Sequence, residues 1–319
     1  MENKSKEQLE VTVDGLLTTG SPEKEHKRLD ILKTYKLYIN GKFPRSESGR
    51  YYILKNRNGK FLANISRASR KDFRDAVVAA RKAQPSWAAK SANNRGQILY
   101  RIAEMLEGRK LQFIDELTSM GLNRSQAETE ITLSIDRLIH YAGWSDKYQQ
   151  IFSSVNPVAE SYFNFSLPEP TGVVSILAPE TTGLIGLVSA IAPAIVGGNT
   201  CVVLASNSKP LSSITFAEVL HSSDVPEGVV NILTGISSEL VSHFSSHMDV
   251  NATVYCGTNE EEIKLIQTNA SLNVKQVLNY SDKNFSDADT QSPYFIMDLQ
   301  EIKTTWHPVE NIAGAGGGY

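Results

Sequence analysis

The sequence predicts an α/β fold built on a doubly wound parallel sheet, with an N-terminal helical layer and a protruding hairpin. Three observations predict it. Five short, β-branched apolar runs, Val173–Leu177, Thr200–Leu204, Val229 to Leu233, Ala252–Tyr255 and Val274 to Leu278, are separated by helical patterns. The runs are continuously apolar rather than alternating, as in strands covered on both faces. Between Glu169 and Leu204 the chain reads strand, breaker turn, helix, breaker, strand: Gly172 to Ala178 is apolar, Pro179 to Gly183 interrupts it, Leu184 to Val196 is long enough for a buried helix, and Gly197-Gly198-Asn199 stops that helix. A βαβ unit of this kind belongs to a Rossmann-like sheet.

With 319 residues the chain has ample length for one large or two domains. A net charge of −3 with scattered Lys and Arg disfavours nucleic acid as a partner. Cys201 and Cys256 each lie inside an apolar run, which fits buried, reduced thiols and a cytoplasmic setting. The N-terminal residues have no apolar leader, and no run approaches the roughly 20 apolar residues of a membrane span.

In chain order, residues 1–35 form a charged extension containing enough Leu and Val for a helix or two; it is either solvated or an arm that docks on a partner. Residues 36–150 form the next unit. Turn pairs Asn40-Gly41 and Asn58-Gly59 predict short antiparallel strands up to Ile65. Ser69 and Asp72 make a capping-box pattern ahead of Phe73, Ala76, Val77 and Ala80. Apolar stripes at Ile98 to Leu106, Phe113 to Leu117 and Ile131 to Ile139 predict three more helices, with Trp144 and Tyr148 as core residues. Residues 151–168 form the hairpin, in which Tyr162, Asn164 and Ser166 alternate with Phe163, Phe165 and Leu167. The sheet domain is residues 169–285, and 286–319 holds a linker, a last strand and a Gly-rich tail too flexible to fold alone.

The segments EPTGVVSILAP, APAIVGGNTCVVL, VPEGVVNILTG and SHMDVNATVYCGT resemble the cofactor-binding half of the aldehyde dehydrogenase superfamily. The likeness runs from about Lys36 (KLYINGKF) through YAGWSDKY to about Lys283, and resumes at EIKTTWHP, similar to the family's C-terminal strand. The start TYKLYINGKFPRSESGR resembles that of the degenerate second module of two-module members. The resemblance implies that the strands between Ser161 and Leu167 and between Glu301 and Trp306 pair subunits, with Ser161 to Leu167 as an edge that another chain covers.

It also implies a set of strand-end positions, and this chain departs from the family at most of them. The family's Pro-Trp-Asn-Phe-Pro, whose Asn holds the substrate oxyanion, is replaced by Pro179-Glu180-Thr181-Thr182-Gly183; Thr181 offers a hydroxyl and Glu180 an opposing charge. The ribose-binding Lys and Glu become Leu204 and Asn207, which removes charged hydrogen bonds of ~1.5–3 kcal/mol each. Ser237 stands at the second glycine of a loop that approaches the nucleotide. Gly257 and Thr258 survive from Gly-Ser-Thr-Glu-x-Gly, but Glu261 and Glu262 place carboxylates at a helix N-terminus, where a pyrophosphate would sit. The general-base Glu becomes Asn279, which cannot take a proton. No cysteine follows Cys256, and the stretch after Lys283 is too short for the family's catalytic domain.

These departures imply no catalytic residues, no tightly held cofactor, NAD(P) bound weakly at best, and a non-catalytic subunit that pairs with itself or with a complete aldehyde dehydrogenase. A nucleotide-binding regulatory protein and an NAD(P)-dependent enzyme of divergent chemistry are the alternatives. His243 and His247 are an i,i+4 pair without the intervening carboxylate of a metalloprotease, and the serine-rich runs 206–213 and 237–246 read as helix caps.

Overall fold

The computed structural model describes residues 31–309; the extension reading for residues 1–30 and the flexible-tail reading for 310–319 lie outside the described residues. Strands β1 (Tyr51–Lys55) and β2 (Phe61–Ser66) form a hairpin around Asn58-Gly59. Asn40 and Gly41, both with positive φ (51° and 69°), close a two-residue turn in which Ile39 and Lys42 exchange backbone bonds. Helix α1 (Arg70–Ala88) begins with the expected capping box, Ser69 with Asp72. Helices α2 (Ala92–Gly108), α3 (Lys110–Ser119), α4 (Arg124–Trp144) and the short α5 (Tyr148–Phe152) follow, and Tyr148 is buried while Trp144 is half-buried.

The central sheet is parallel and five-stranded: β5 (Val173–Leu177), β6 (Thr200–Leu204), β7 (Val230–Leu233), β8 (Ala252–Tyr255) and β9 (Gln276–Asn279), in the order β7-β6-β5-β8-β9. The connecting helices are α6 (Ile185–Val196), α7 (Pro210–His221), α8 (Ser237–Ser246) and α9 (Glu260–Ser271). Side chains alternate between two cores. Val174, Ile176, Cys201 and Val203 pack with α2, α4, α6 and α7, while Val173, Leu177, Val202 and Leu204 pack with α1, α8 and α9. One strand differs from the sequence reading. Val274 takes a left-handed backbone (φ 54°) and is 96% exposed, so β9 starts at Gln276.

Every residue of α6 is buried, and its single hydroxyl, Ser189, lies mid-helix, so the helix has no polar side chain at either end. Its neighbours do so: Trp87 Nε1 donates to Ile195 O (2.9 Å) and Arg95 Nε to Val196 O (2.8 Å) at the C-terminus.

A second, antiparallel sheet contains β3 (Ser154–Asn156), β4 (Tyr162–Pro170) and β10 (Gln300–Pro308) in the order β10-β4-β3. The segment from Ser161 to Leu167 is therefore not an edge: β4 is central, because β10 pairs with it from Gln300↔Pro170 to Pro308↔Tyr162. Between the two sheets, residues 280–299 carry a one-turn helix α10 (Tyr294–Met297) and pack down firmly. Phe285, Phe295, Ile296 and Leu299 are buried, Arg137 donates to the carbonyls of Phe285 (3.1 Å) and Thr290, and Tyr280 Oη donates to Asp298 Oδ2 (2.8 Å).

Candidate functional site

The carboxyl ends of β5, β6 and β8 open into a crevice of about 230 Å³, lined by Leu177, Ala178, Leu204, Ala205, Tyr255 and Gly257 among others. In a doubly wound sheet this is where ligands sit, at the point where the strand order reverses. Of the positions singled out from the sequence, Leu204, Ser237, Gly257 and Thr258 line it, and Thr181, Asn207 and Asn279 do not. Leu204 is buried and makes an apolar wall. Asn279 is exposed and accepts from Ser281 N (3.1 Å).

The polar groups of the crevice bind one another. Glu262 receives Ser237 Oγ at 2.8 Å on one oxygen and Tyr255 Oη at 2.7 Å on the other, which ties α8, β8 and α9 together. Burial and the Glu262 carboxylate hold the Tyr255 phenol well above its ordinary range. A Cβ at Gly257 would meet Tyr255 Oη at 2.5 Å, so the small residue makes room for the phenol. Asn259 Oδ1 caps α9 by accepting from the amides of Glu261 (2.9 Å) and Glu262 (3.4 Å). This corrects the sequence reading in two ways: the cap is Asn259 rather than the carboxylates, and Glu262 lines the crevice while the exposed Glu261 does not.

Glu180 also differs from its reading as a charge facing a developing oxyanion. Its carboxylate turns into the 206–208 loop and accepts from Ser206 Oγ (2.7 Å), Asn207 N (2.8 Å), Ser208 N (3.1 Å) and Ser208 Oγ (2.7 Å). Burial pushes its pKa up, but these hydrogen bonds outweigh burial and leave it below the usual carboxylate range. Lys209 Nζ donates to Thr181 O (2.7 Å), which closes the rim.

The serine runs do less capping than expected. Ser206 and Ser208 serve Glu180, Ser212 Oγ donates to Gly183 O (2.8 Å), and Ser237 is the first residue of α8, whose N-cap Ile236 gives no side-chain bond.

Glu130, which sequence reasoning missed, closes the N-terminus of α6. Its Oε1 accepts from Gly183 N (2.8 Å), Leu184 N (2.6 Å) and Ile185 N (3.2 Å), the amides that would otherwise offer an anion site. The signal was a lone buried carboxylate on the apolar stripe of α4.

Cys256 ends β8 beside the crevice, but burial pushes its thiol to about 12, and the Cys201 thiol is raised further. Neither is a thiolate at neutral pH. Among the described residues no group of three or more His, Cys, Asp and Glu side chains could hold a metal ion, and no helix is long and apolar enough to cross a membrane.

The sequence profile of the aldehyde dehydrogenase family matches residues 43–286. Cytosolic 10-formyltetrahydrofolate dehydrogenase of Mus musculus is 32% identical over 262 residues, covering 80% of this chain but 29% of that protein. An aldehyde dehydrogenase of Agaricus bisporus is 32% identical over 269 residues, covering 80% of this chain and 52% of the relative. The NAD+ complex of an aldehyde dehydrogenase from Bacillus cereus superposes with a TM-score of 0.74 at 25% identity, over 77% of this chain and 50% of that one. The chain thus spans about half or less of the relatives it matches. With both sequence and fold in agreement, it belongs to the aldehyde dehydrogenase family.

Proposed function

We propose that the chain is a non-catalytic subunit, acting in the cytoplasm, that pairs with itself or with a catalytically complete aldehyde dehydrogenase through its antiparallel sheet. The observation that carries this reading is the short, packed path between the two sheets. β10 follows β9 after residues 280–299 alone, where the family resemblance implies a catalytic domain with its cysteine nucleophile, and those residues are bonded to α4 through Arg137 instead. The crevice fits the same reading. Its carboxylates oppose a pyrophosphate and Asn259 already occupies two amides of α9, so NAD and NADP bind weakly at best.

The sheet, in contrast, exposes Val155, Phe163 and Leu167 on one face and Tyr162, Ile302 and Trp306 on the other, apolar side chains that a partner would cover. Assay of the purified chain with a panel of aldehydes gives no NAD(P)H. Co-expression with a full-length aldehyde dehydrogenase from the same source, followed by affinity capture, tests pairing. Turnover by the chain alone would overturn the non-catalytic half of the proposal, and a monomer that captures neither itself nor the enzyme would overturn the other half.

A further inference from the structure

A second cavity, of about 280 Å³, lies between the start of α1 and the end of α8 and shares no lining residue with the crevice. Arg70 and Arg74, one turn apart on α1, line it together with His243 and His247, one turn apart at the end of α8, and Phe73 with Met248 supplies an apolar wall. We infer that this cavity binds the phosphate group of a small phosphomonoester, held by the two guanidinium groups and the two imidazoles, with its organic part against Phe73 and Met248. The inference stands apart from the pairing reading, since neither helix belongs to the antiparallel sheet.

The donors are uncommitted or already oriented. Among the described residues neither Arg70 nor the His243 ring has a hydrogen-bond or ion-pair partner. Arg74 pairs with its neighbour Asp75 (3.2 Å), an exposed contact of the kind that contributes little. His247 Nδ1 accepts from Asp249 N (3.2 Å), so the neutral ring carries its proton on Nε2, as a donor. The same ring stands edge-on to Phe73 at 78°, and Phe73 is buried and stacks on Phe244 with centroids 4.2 Å apart, which fixes the floor of the cavity. Carbonyls at the end of α8 would oppose an anion, but they are occupied: His243 O accepts from His247 N (3.2 Å), and His247 O from Lys275 Nζ (2.8 Å).

Around the cavity the cations Arg70, Arg74 and Lys275 outnumber the carboxylates of Asp75 and Asp249. The other acids nearby are engaged elsewhere: Glu47 with Lys71, Asp72 with Ser46 and the Ser69 cap, and Glu239 with Arg67. A carboxylate offers two oxygens in one plane, whereas the three terminal oxygens of a phosphomonoester diverge and meet donors on both helices. Burial holds both imidazoles below the ordinary histidine range; Arg70 adds to this at His243, while at His247 Asp249 opposes it and Lys275 and Arg74 reinforce it. Both rings are therefore neutral at neutral pH. A bound dianion favours their protonated forms, so affinity rises as pH falls.

Titration calorimetry on the full chain at fixed ionic strength compares phenyl phosphate with inorganic phosphate. Phenyl phosphate binds about tenfold more tightly than inorganic phosphate, and Arg70→Gln weakens it by about tenfold or more, the loss of one charge-assisted hydrogen bond. Circular dichroism and the melting temperature of the unliganded variant match those of the parent chain, because Arg70 supports nothing in the fold. With sulfate as the probe, which stays a dianion throughout, affinity increases from about pH 7.5 to about pH 5.5, and the double variant His243→Gln/His247→Gln flattens that rise. Inorganic phosphate binding as tightly as phenyl phosphate overturns the ester assignment. A phenyl phosphate affinity unchanged by Arg70→Gln, or no heat of binding from either phosphate up to about 10 mM, overturns the site itself. A sulfate affinity independent of pH overturns the role of the two imidazoles.

Discussion

The crevice at the carboxyl ends of the parallel strands and the antiparallel sheet of β3, β4 and β10 treat their polar and apolar groups in opposite ways. In the crevice the chain satisfies itself: Glu262 takes Ser237 and Tyr255, Asn259 caps α9, Glu180 gathers the 206–208 loop, and Glu130 fills the N-terminus of α6. In the sheet the chain leaves outward backbone groups on β10 unpaired and keeps Phe163 46% exposed. A surface whose groups are already bonded gains little from a ligand, because each new bond must replace an existing one. An unpaired strand edge beside aromatic side chains gains from any partner that completes it. The contrast is what the proposed subunit role requires of the two regions.

The sharpest way to break this contrast is at Glu130. Glu130→Ala leaves three amides at a buried helix end without an acceptor, and urea unfolding should show a loss of about 3 kcal/mol, with Glu130→Gln keeping part of it. A loss under about 0.5 kcal/mol would mean that the end of α6 is open to other ligands.

Next in size, Phe163→Asp should weaken association about 30-fold in sedimentation, the effect of losing an interfacial aromatic anchor worth about 2 kcal/mol, with no comparable change in unfolding free energy. Equal loss in both measurements would assign Phe163 to the fold instead.

Glu262→Gln removes the charge, keeps one acceptor oxygen and makes the other hydroxyl accept from the amide nitrogen, so both contacts survive with one of them reversed. Titration calorimetry should then show NAD affinity improved about tenfold over the parent chain, and no improvement would exonerate the carboxylate.

The smallest effect belongs to Glu180→Gln, which should cost less than about 1 kcal/mol because the carboxylate is at the solvent-screened rim. Since the folded-state pKa of Glu180 is depressed, its contribution is present at neutral pH and lost as pH falls through the folded value. The variant's stability should therefore decline less steeply on acidification than the parent's.

Much of the architecture was legible because continuous apolar runs bounded by breakers leave few alternatives. Val173–Leu177 and Thr200–Leu204 are strands at the positions read from the sequence. Val274 misled for a physical reason: an apolar β-branched residue at the start of a run counts toward a strand, although here it sits in a left-handed turn facing solvent. The site was less legible, because its decisive bonds are non-local. Nothing near Glu130 says that the end of α6 lies across from it, and Tyr255 counts as an apolar strand residue until Gly257 leaves room for its hydroxyl. The edge assignment for β4 failed in the same way, since its partner β10 lies far along the chain.

Asn199 joins the two sheets: its Oδ1 accepts from Gly172 N (2.8 Å) at the root of β5, and its Nδ2 donates to Leu299 O (2.9 Å) at the root of β10. Gln300 adds a second bolt to the end of α6 through Gly197 O (3.3 Å). These bonds tie the stem of the antiparallel sheet to the parallel one, and under the proposed pairing a partner would meet it in a restrained attitude. Little orientational freedom remains to be frozen on docking, so even a narrow contact between strand edges retains more of its gross binding free energy.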